Sequence, residues 1–205
     1  MPEPEIIAHR GNGVGPSENT LAACQAAVTA GADRIELDVR LFRGQLVLSH
    51  DHPTEASESL DKILKAVRVP LILHIKRQWF SPWHDRAVIR VLAGVGRRDI
   101  TISSFWPGTL LFAKRCFPKL RTAFITWLPD YDLLLAKRLG AAEYHVWHRT
   151  TGNRTVAAAR RVGVKLVAFV TDGSTSEAHR LSAAGVDGLM TDSVYAFAGA
   201  RPADR

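Results

Sequence analysis

Apolar, β-branched runs alternate with helical stretches along the whole of this 205-residue chain. Strand-like runs cover residues 6–8, 34–40, 71–75, 100–103, 121–125, 143–147, 165–170 and 188–191. Helical spacing of apolar and alanine positions covers 20–30, 60–65, 83–95, 107–117, 130–139, 155–161 and 174–184. Thr20 and Ser174 are good N-cap residues. Gly31, Gly140, Gly163 and Gly185 fall just past predicted helix ends, where a C-capping glycine belongs. Strands separated each by one crossover predict a parallel sheet with right-handed connections. Leu71-Ile72-Leu73 and Leu166-Val167-Ala168-Phe169 are continuous apolar runs, as strands covered on both faces should be.

Eight βα units in about 200 residues lie at the small end for a barrel, and an open doubly wound sheet is the rival. Polar residues cluster at the C-terminal ends of strands one to four and again at strand eight. In a barrel those ends converge on one mouth. The expected fold is therefore α/β, a (β/α)8 TIM barrel, as a single domain over residues 1–197 with a C-terminal tail at 198–205.

Composition narrows the partners. The formal net charge is +7, carried by 20 Arg against 7 Lys. A basic balance raises the prior for anionic partners, although an arginine-rich solvated surface explains it equally. No basic-aromatic interleaving or helix-turn-helix pattern points to nucleic acid. No apolar run approaches the roughly 18 residues of a membrane span. The first strand begins within the first ten residues, so no cleavable signal is expected. Cys24 and Cys116 have no paired spacing, so a reduced, cytoplasmic protein is expected.

The candidate chemistry is concentrated in the first fifty-one residues: His9-Arg10-Gly11, Glu18-Asn19-Thr20, Glu36-Leu37-Asp38 and His50-Asp51. His9-Arg10, Glu36, Asp38 and His50-Asp51 lie at or near the ends of apolar, strand-like runs, the last of these runs being Leu46-Val47-Leu48. The period-two geometry of a strand puts Glu36 and Asp38 on one face. Carboxylates so close repel unless a cation or proton lies between them, and hard divalent cations favour such an oxygen pair. A buried salt bridge using Arg34 or Arg40, which share that parity, is the alternative. An imidazole is the side chain suited to proton transfer near neutral pH, which makes His9 and His50 the acid/base candidates. Arg10 offers a two-pronged donor to phosphate oxygens, and Asp51 can orient an imidazole or a loop. Together these groups look like a metal-assisted phosphodiester site.

The order HRG, ENT, ExD, HD resembles the glycerophosphodiester phosphodiesterase family. The likeness continues through Lys76, Ser103-Ser104-Phe105 and the terminal run from Gly185 to Asp192, and so spans almost the whole chain. It implies hydrolysis of glycerophosphodiesters to an alcohol and glycerol phosphate, with neighbouring-hydroxyl attack through a cyclic phosphate and water completing the reaction. It further implies that His9 and His50 are the acid/base pair and that Glu36, Asp38 and a later carboxylate hold a divalent cation. Arg10 and Lys76 would face the phosphate of a small-molecule substrate.

Two departures matter. The residue expected two before Lys76 is a carboxylate, and here it is His74. As a nitrogen ligand beside two carboxylates, His74 shifts the expectation from the family's Mg or Ca toward Mn, Co or Zn; otherwise it is a neutral histidine bonded to a neighbour. The family's inserted subdomain is also missing, because only residues 53–70 join His50-Asp51 to the third strand. An open mouth and weak head-group selectivity are expected. A phospholipase-like enzyme acting on lipid or lysolipid phosphodiesters, and a non-catalytic phosphoester-binding barrel, are the two alternatives. Near strand ends, Phe105, Trp106, Trp127, Trp147 and His148 are read singly as core packing or together as an aromatic wall. His52, His84, His145 and His179 belong to no motif and are read as structural or exposed.

Overall fold

The computed structural model describes residues 3–11, 17–77, 82–97 and 99–198, so the expected tail from 199 onward lies outside the described residues. Its strands are β1 (Glu5–Ala8), β2 (Arg34–Phe42), β3 (Gln45–Leu48), β4 (Glu58–Ser59), β5 (Leu71–Ile75), β6 (Ile100–Ser104), β7 (Arg121–Thr126), β8 (Glu143–Trp147), β9 (Lys165–Val170) and β10 (Gly188–Thr191). The helices are α1 (Leu21–Thr29), α2 (Leu60–Ala66), α3 (Pro82–Leu92), α4 (Pro107–Cys116), α5 (Pro129–Arg138), α6 (Asn153–Val162), α7 (Thr175–Ala184) and α8 (Val194–Ala198). Parallel pairing runs β1-β10-β9-β8-β7-β6-β5-β2, and β1 pairs with β2 to close the ring. The sheet is thus a closed (β/α)8 barrel, and the open-sheet rival is excluded.

Local chemistry explains the element ends. Thr20 accepts a bond from the Ala23 N–H and Ser174 one from the Glu177 N–H, satisfying orphan donors at the starts of α1 and α7. Gly163 and Gly185 cap α6 and α7 in the left-handed conformation. Two elements differ from the sequence pattern. The run 46–48 does form a strand, but β3 turns back antiparallel to β2 through Arg43-Gly44, and β4 adds to it outside the barrel wall. Helix α8, which the pattern does not predict, buries Val194 and Phe197 against the core.

Alternation along the strands splits the core in two. Outward residues such as Leu37, Leu73, Ile102, Tyr144 and Leu189 pack under the helices, while Ile7, Ile72, Ile125, Val167, Phe169 and Met190 pack inside the barrel. The register slips by about one residue per strand around a barrel of this kind, so each interior layer takes side chains from alternate strands. The observed pairings give a lowest layer of Arg34, Thr101, Glu143 and Gly188, then an apolar layer of Ile7, Ile72, Ala123 and Val167. Above these come Glu36, Ser103, His145 and Met190, then His9, His74, Ile125 and Phe169, and then Asp38, Phe105, Trp147 and Asp192 at the C-terminal mouth.

The lowest layer is a polar plug. Arg34 donates to both Glu143 oxygens at 3.1 and 2.9 Å, to Glu5 at 3.1 Å and to Thr101 at 3.0 Å. Gly188 completes this layer, and a Cβ there would crowd Ile7 and Val167 of the next layer at 3.2 Å. Burial alone would raise the Glu143 carboxyl, but the hydrogen bond and charge of His145 and the Arg34 guanidinium hold it down at about 2. A depressed carboxyl contributes stability above its usual value of 4.5, and that stability is lost as pH falls from there toward about 2. Glu143→Gln should therefore cost about 3–5 kcal/mol at neutral pH, because it leaves Arg34 buried without its main partner. It should also flatten the pH dependence of stability in that acid window. Denaturant unfolding across pH measures both, and a parent-like profile would show that the plug does not couple to pH.

Candidate active site

A cavity of about 330 Å³ opens at the C-terminal mouth, lined among others by His9, Arg10, Glu36, Asp38, His50, His74 and Lys76. All seven site residues expected from the sequence therefore meet in one place. A larger apolar cavity of about 560 Å³, between α3 and α4 and the N-terminal ends of β6 and β7, holds none of them.

Glu36 and Asp38 project inward from β2, and Asp38 is in register with His74 of β5. The His74 Nδ1 lies 3.2 Å from Asp38 and 3.7 Å from Glu36. Ligand atoms of Glu36, Asp38 and His74 fall within 4.8 Å of one another, and all three residues are buried. Burial and the charge of Asp38 push the Glu36 carboxyl up to about 7. Asp38 is also buried, but His74, Lys76 and Arg10 outweigh that and hold its carboxyl well below the usual range. Burial lowers the His74 imidazole, keeping a nitrogen lone pair available. Two buried carboxylates that resist joint ionisation, beside a neutral imidazole, form a donor set suited to a divalent cation.

The alternative, a salt bridge from Glu36 or Asp38 to Arg34 or Arg40, does not form. Arg34 sits lower, in the plug, and Arg40 donates to the carbonyl oxygens of Ser49 at 3.2 Å and His50 at 2.8 Å, fixing the His50 loop. Lys76 at 3.5 Å and Arg10 at 3.3 Å are the cations that approach Asp38. Arg10 adopts left-handed backbone angles, and its N–H donates to Glu36 at 3.0 Å. Gly11 continues in the same region, and a Cβ there would press on the Cys24 sulfur at 2.9 Å.

Both histidines carry a carboxylate on Nδ1. His9 Nδ1 is 2.6 Å from Asp192, and His50 Nδ1 is 2.9 Å from Asp51. Burial alone would lower the His9 imidazole, but the Asp192 hydrogen bond and the Glu36 charge raise it overall. With the proton on Nδ1 donated to a carboxylate, Nε2 is left to exchange protons with a ligand.

Several participants were not singled out beforehand. Asn19 donates to Asp38 Oδ2 at 3.1 Å and accepts from the Asp38 N–H at 2.9 Å. Glu18 receives two bonds from Arg10 Nη1. Both lie in the Glu18-Asn19-Thr20 motif, so that motif was the available signal; Asp192 lay likewise in the terminal run. His145, read as structural, is bonded to Glu143 at 3.0 Å but also lines the cavity. The aromatic residues divide. Phe105, Trp127 and Phe169 line the cavity, with Trp127 stacked on Phe105 and edge-on to Phe169. Trp106 instead faces Arg77, and His148 is buried toward Asp172 and Glu177.

A barrel with this mouth is a hydrolase of phosphoric diesters. More narrowly, the chain belongs to the glycerophosphoryl diester phosphodiesterase family, whose model matches residues 9–84 and 67–196. A glycerophosphodiester phosphodiesterase of Caldanaerobacter subterraneus subsp. tengcongensis is 26% identical over 227 residues, spanning 91% of this chain and 93% of its own. That alignment is longer than the present chain, in keeping with a short form of the family. Another, from Bacillus altitudinis, is 25% identical over 92% of this chain and 94% of its own. Among solved structures, an Oleispira antarctica phosphodiesterase in complex with the product sn-glycerol-3-phosphate superposes with a TM-score of 0.80 at 22% identity, covering 94% of each chain. The Thermotoga maritima glycerophosphodiester phosphodiesterase gives 0.80 at 20% identity, over 98% of this chain and 100% of that one.

Asn19 provides a test of how the carboxylates are held. Asn19→Ala removes two bonds from the buried Asp38 and should cost about 1–3 kcal/mol in stability. It should also weaken Mn²⁺ binding by about 10- to 100-fold, the usual effect of losing a group that orients a ligand. Thermal unfolding and calorimetric titration read these separately, and parent values in both would remove Asn19 from the site.

Proposed function

We propose that the protein hydrolyses glycerophosphodiesters to an alcohol and glycerol phosphate, using a divalent cation held by Glu36, Asp38 and His74. The observation that carries this reading is the convergence of that donor trio with His9, His50, Arg10 and Lys76 on one cavity. Family membership and the names of the relatives support it. Neither lends support to the lipid-phosphodiester alternative or to the non-catalytic one.

A bound cation neutralises phosphate charge and lowers the barrier to attack. Arg10, gripped by Glu18 and Asp38, and Lys76 present fixed positive charge to the phosphate oxygens. One imidazole takes the proton of the attacking hydroxyl, supplied by the neighbouring carbon of the glycerol unit. The other gives a proton to the departing alkoxide, and water then opens the cyclic phosphate with the roles reversed. Asp192 and Asp51 orient the two rings so that Nε2 is the exchanging atom in each.

The protein acts in glycerol and lipid metabolism in the cytoplasm. Two free cysteines fit a reducing compartment, and among the described residues no helix is long and apolar enough to cross a membrane. No nucleic-acid partner is part of this reading.

Activity on a panel of glycerophosphodiesters with each of several divalent ions tests the proposal directly. His9→Ala and His50→Ala should each lower turnover by about 10²-fold or more with an unchanged circular dichroism spectrum. Parent-like rates in both folded variants would remove the histidines from the mechanism. His74 sets the ion. The metal-stripped parent should recover best with manganese, cobalt or zinc, and should bind them more tightly than magnesium or calcium in calorimetry. His74→Glu should shift both orders toward magnesium and calcium. A parent that prefers calcium, with an order the substitution leaves unchanged, would mean that His74 is not a ligand.

A further inference from the structure

Below the layer of His9 and His74, the cavity floor is the layer of Glu36, Ser103, His145 and Met190. Ser103 and His145 come from alternate strands, β6 and β8, and are neighbours in that ring. Both are almost wholly buried, at 0% and 1% exposure, and both line the cavity. Neither Ser103 Oγ nor His145 Nδ1 has a hydrogen-bond partner in the protein. The His145 ring is nonetheless fixed, because its Nε2 faces Glu143 at 3.0 Å, and Glu143 is itself anchored by Arg34. Buried polar atoms are normally hydrogen-bonded, and these two are the unpartnered ones that share the cavity floor.

We infer that Ser103 and His145 form a hydroxyl-binding subsite that takes the polyol arm of the substrate. A hydroxyl donates and accepts through one atom, so it completes a serine oxygen and an imidazole nitrogen whichever of them carries the proton. A quaternary ammonium can do neither. The subsite sits beside Glu36, so an arm bound there hangs below a phosphate held at the mouth by Arg10 and Lys76. The cationic or apolar alcohol then faces Phe105, Trp127 and Phe169. This orientation rests on the proposed hydrolysis and adds to it which end of the diester enters first. The pairing is hard to see in the sequence, where His145 stands in no motif.

Two readouts test the subsite, one of which does not need turnover. Parent, Ser103→Ala and His145→Phe would be assayed on a glycerophosphodiester and on the matching 1,2-propanediol diester, which keeps the neighbouring hydroxyl that attacks and lacks the terminal one. Each substitution should reduce the parent's preference for the glycerol compound, as a ratio of kcat/KM, by about tenfold or more. Calorimetry with glycerol 3-phosphate and with propyl phosphate should show the same loss of discrimination in Kd. Equal losses on both members of a pair would mark a merely structural role and overturn the inference. So would a parent that does not distinguish them. If the parent hydrolyses neither diester yet discriminates the two phosphates in Kd, the hydrolytic reading falls and the subsite stands. His145→Asn, which keeps a polar group at this position, should recover part of the preference that His145→Phe loses.

Discussion

Two carboxylates buried one pleat apart on the same strand are the constraint around which this mouth is organised. A strand has a period of two, so Glu36 and Asp38 cannot both lie on the inner face of β2 without facing the same cavity. Their repulsion in a poorly solvated place must be answered by something positive. Each nearby feature answers part of it: the Arg10 N–H on Glu36, the Asn19 amide on Asp38, and the Arg10 and Lys76 cations on the Asp38 side.

The layering beneath the mouth sets Glu36 and Asp38 apart from a second charged set, to which only His145 reaches down among the described cavity-floor residues, through its 3.0 Å contact with Glu143. Arg34 and Glu143 form the plug, and the ring of Ile7, Ile72, Ala123 and Val167 divides it from Glu36 above. This apolar ring stands between the Arg34 guanidinium and the mouth carboxylates. It explains why Arg34, which has the right parity to pair with Glu36, does not: it sits below that ring and is already bound to Glu143 and Glu5.

Most of the barrel was legible because its strands are covered on both faces and appear as unbroken apolar runs. The β3–β4 excursion was not, because a run such as 46–48 has the same local pattern whether it pairs parallel in the wall or antiparallel outside it. At the site, residues carrying their own chemistry in tight motifs could be named: His9, Arg10, Glu36, Asp38, His50, His74 and Lys76. Partners joined only through closure of the ring could not be ranked. Asp192 meets His9 across 183 positions of sequence, and Arg40 supports His50 through backbone carbonyls, which leave no trace in residue type. Trp127, more than half exposed, belongs to the cavity wall, because burial cannot be read from an aromatic identity alone.

The histidine at position 74 changes the electrostatics of the mouth as well as its ligand chemistry. Of the cations beside the two carboxylates, Lys76 faces Asp38 alone, while Arg10 is shared between Asp38 and Glu18. A carboxylate at position 74 would add one negative charge to attract a hard dication, whereas a neutral imidazole adds none. The pull on an incoming ion must then come more from directional donation by nitrogen than from net charge. Nitrogen donation distinguishes borderline metals from magnesium and calcium, which rely on charge and oxygen number. Phe105, 5.6 Å from the His74 ring, adds to this by shielding that side of the cluster from water. The single change at position 74 therefore biases both the identity of the ion and the medium in which it would be held.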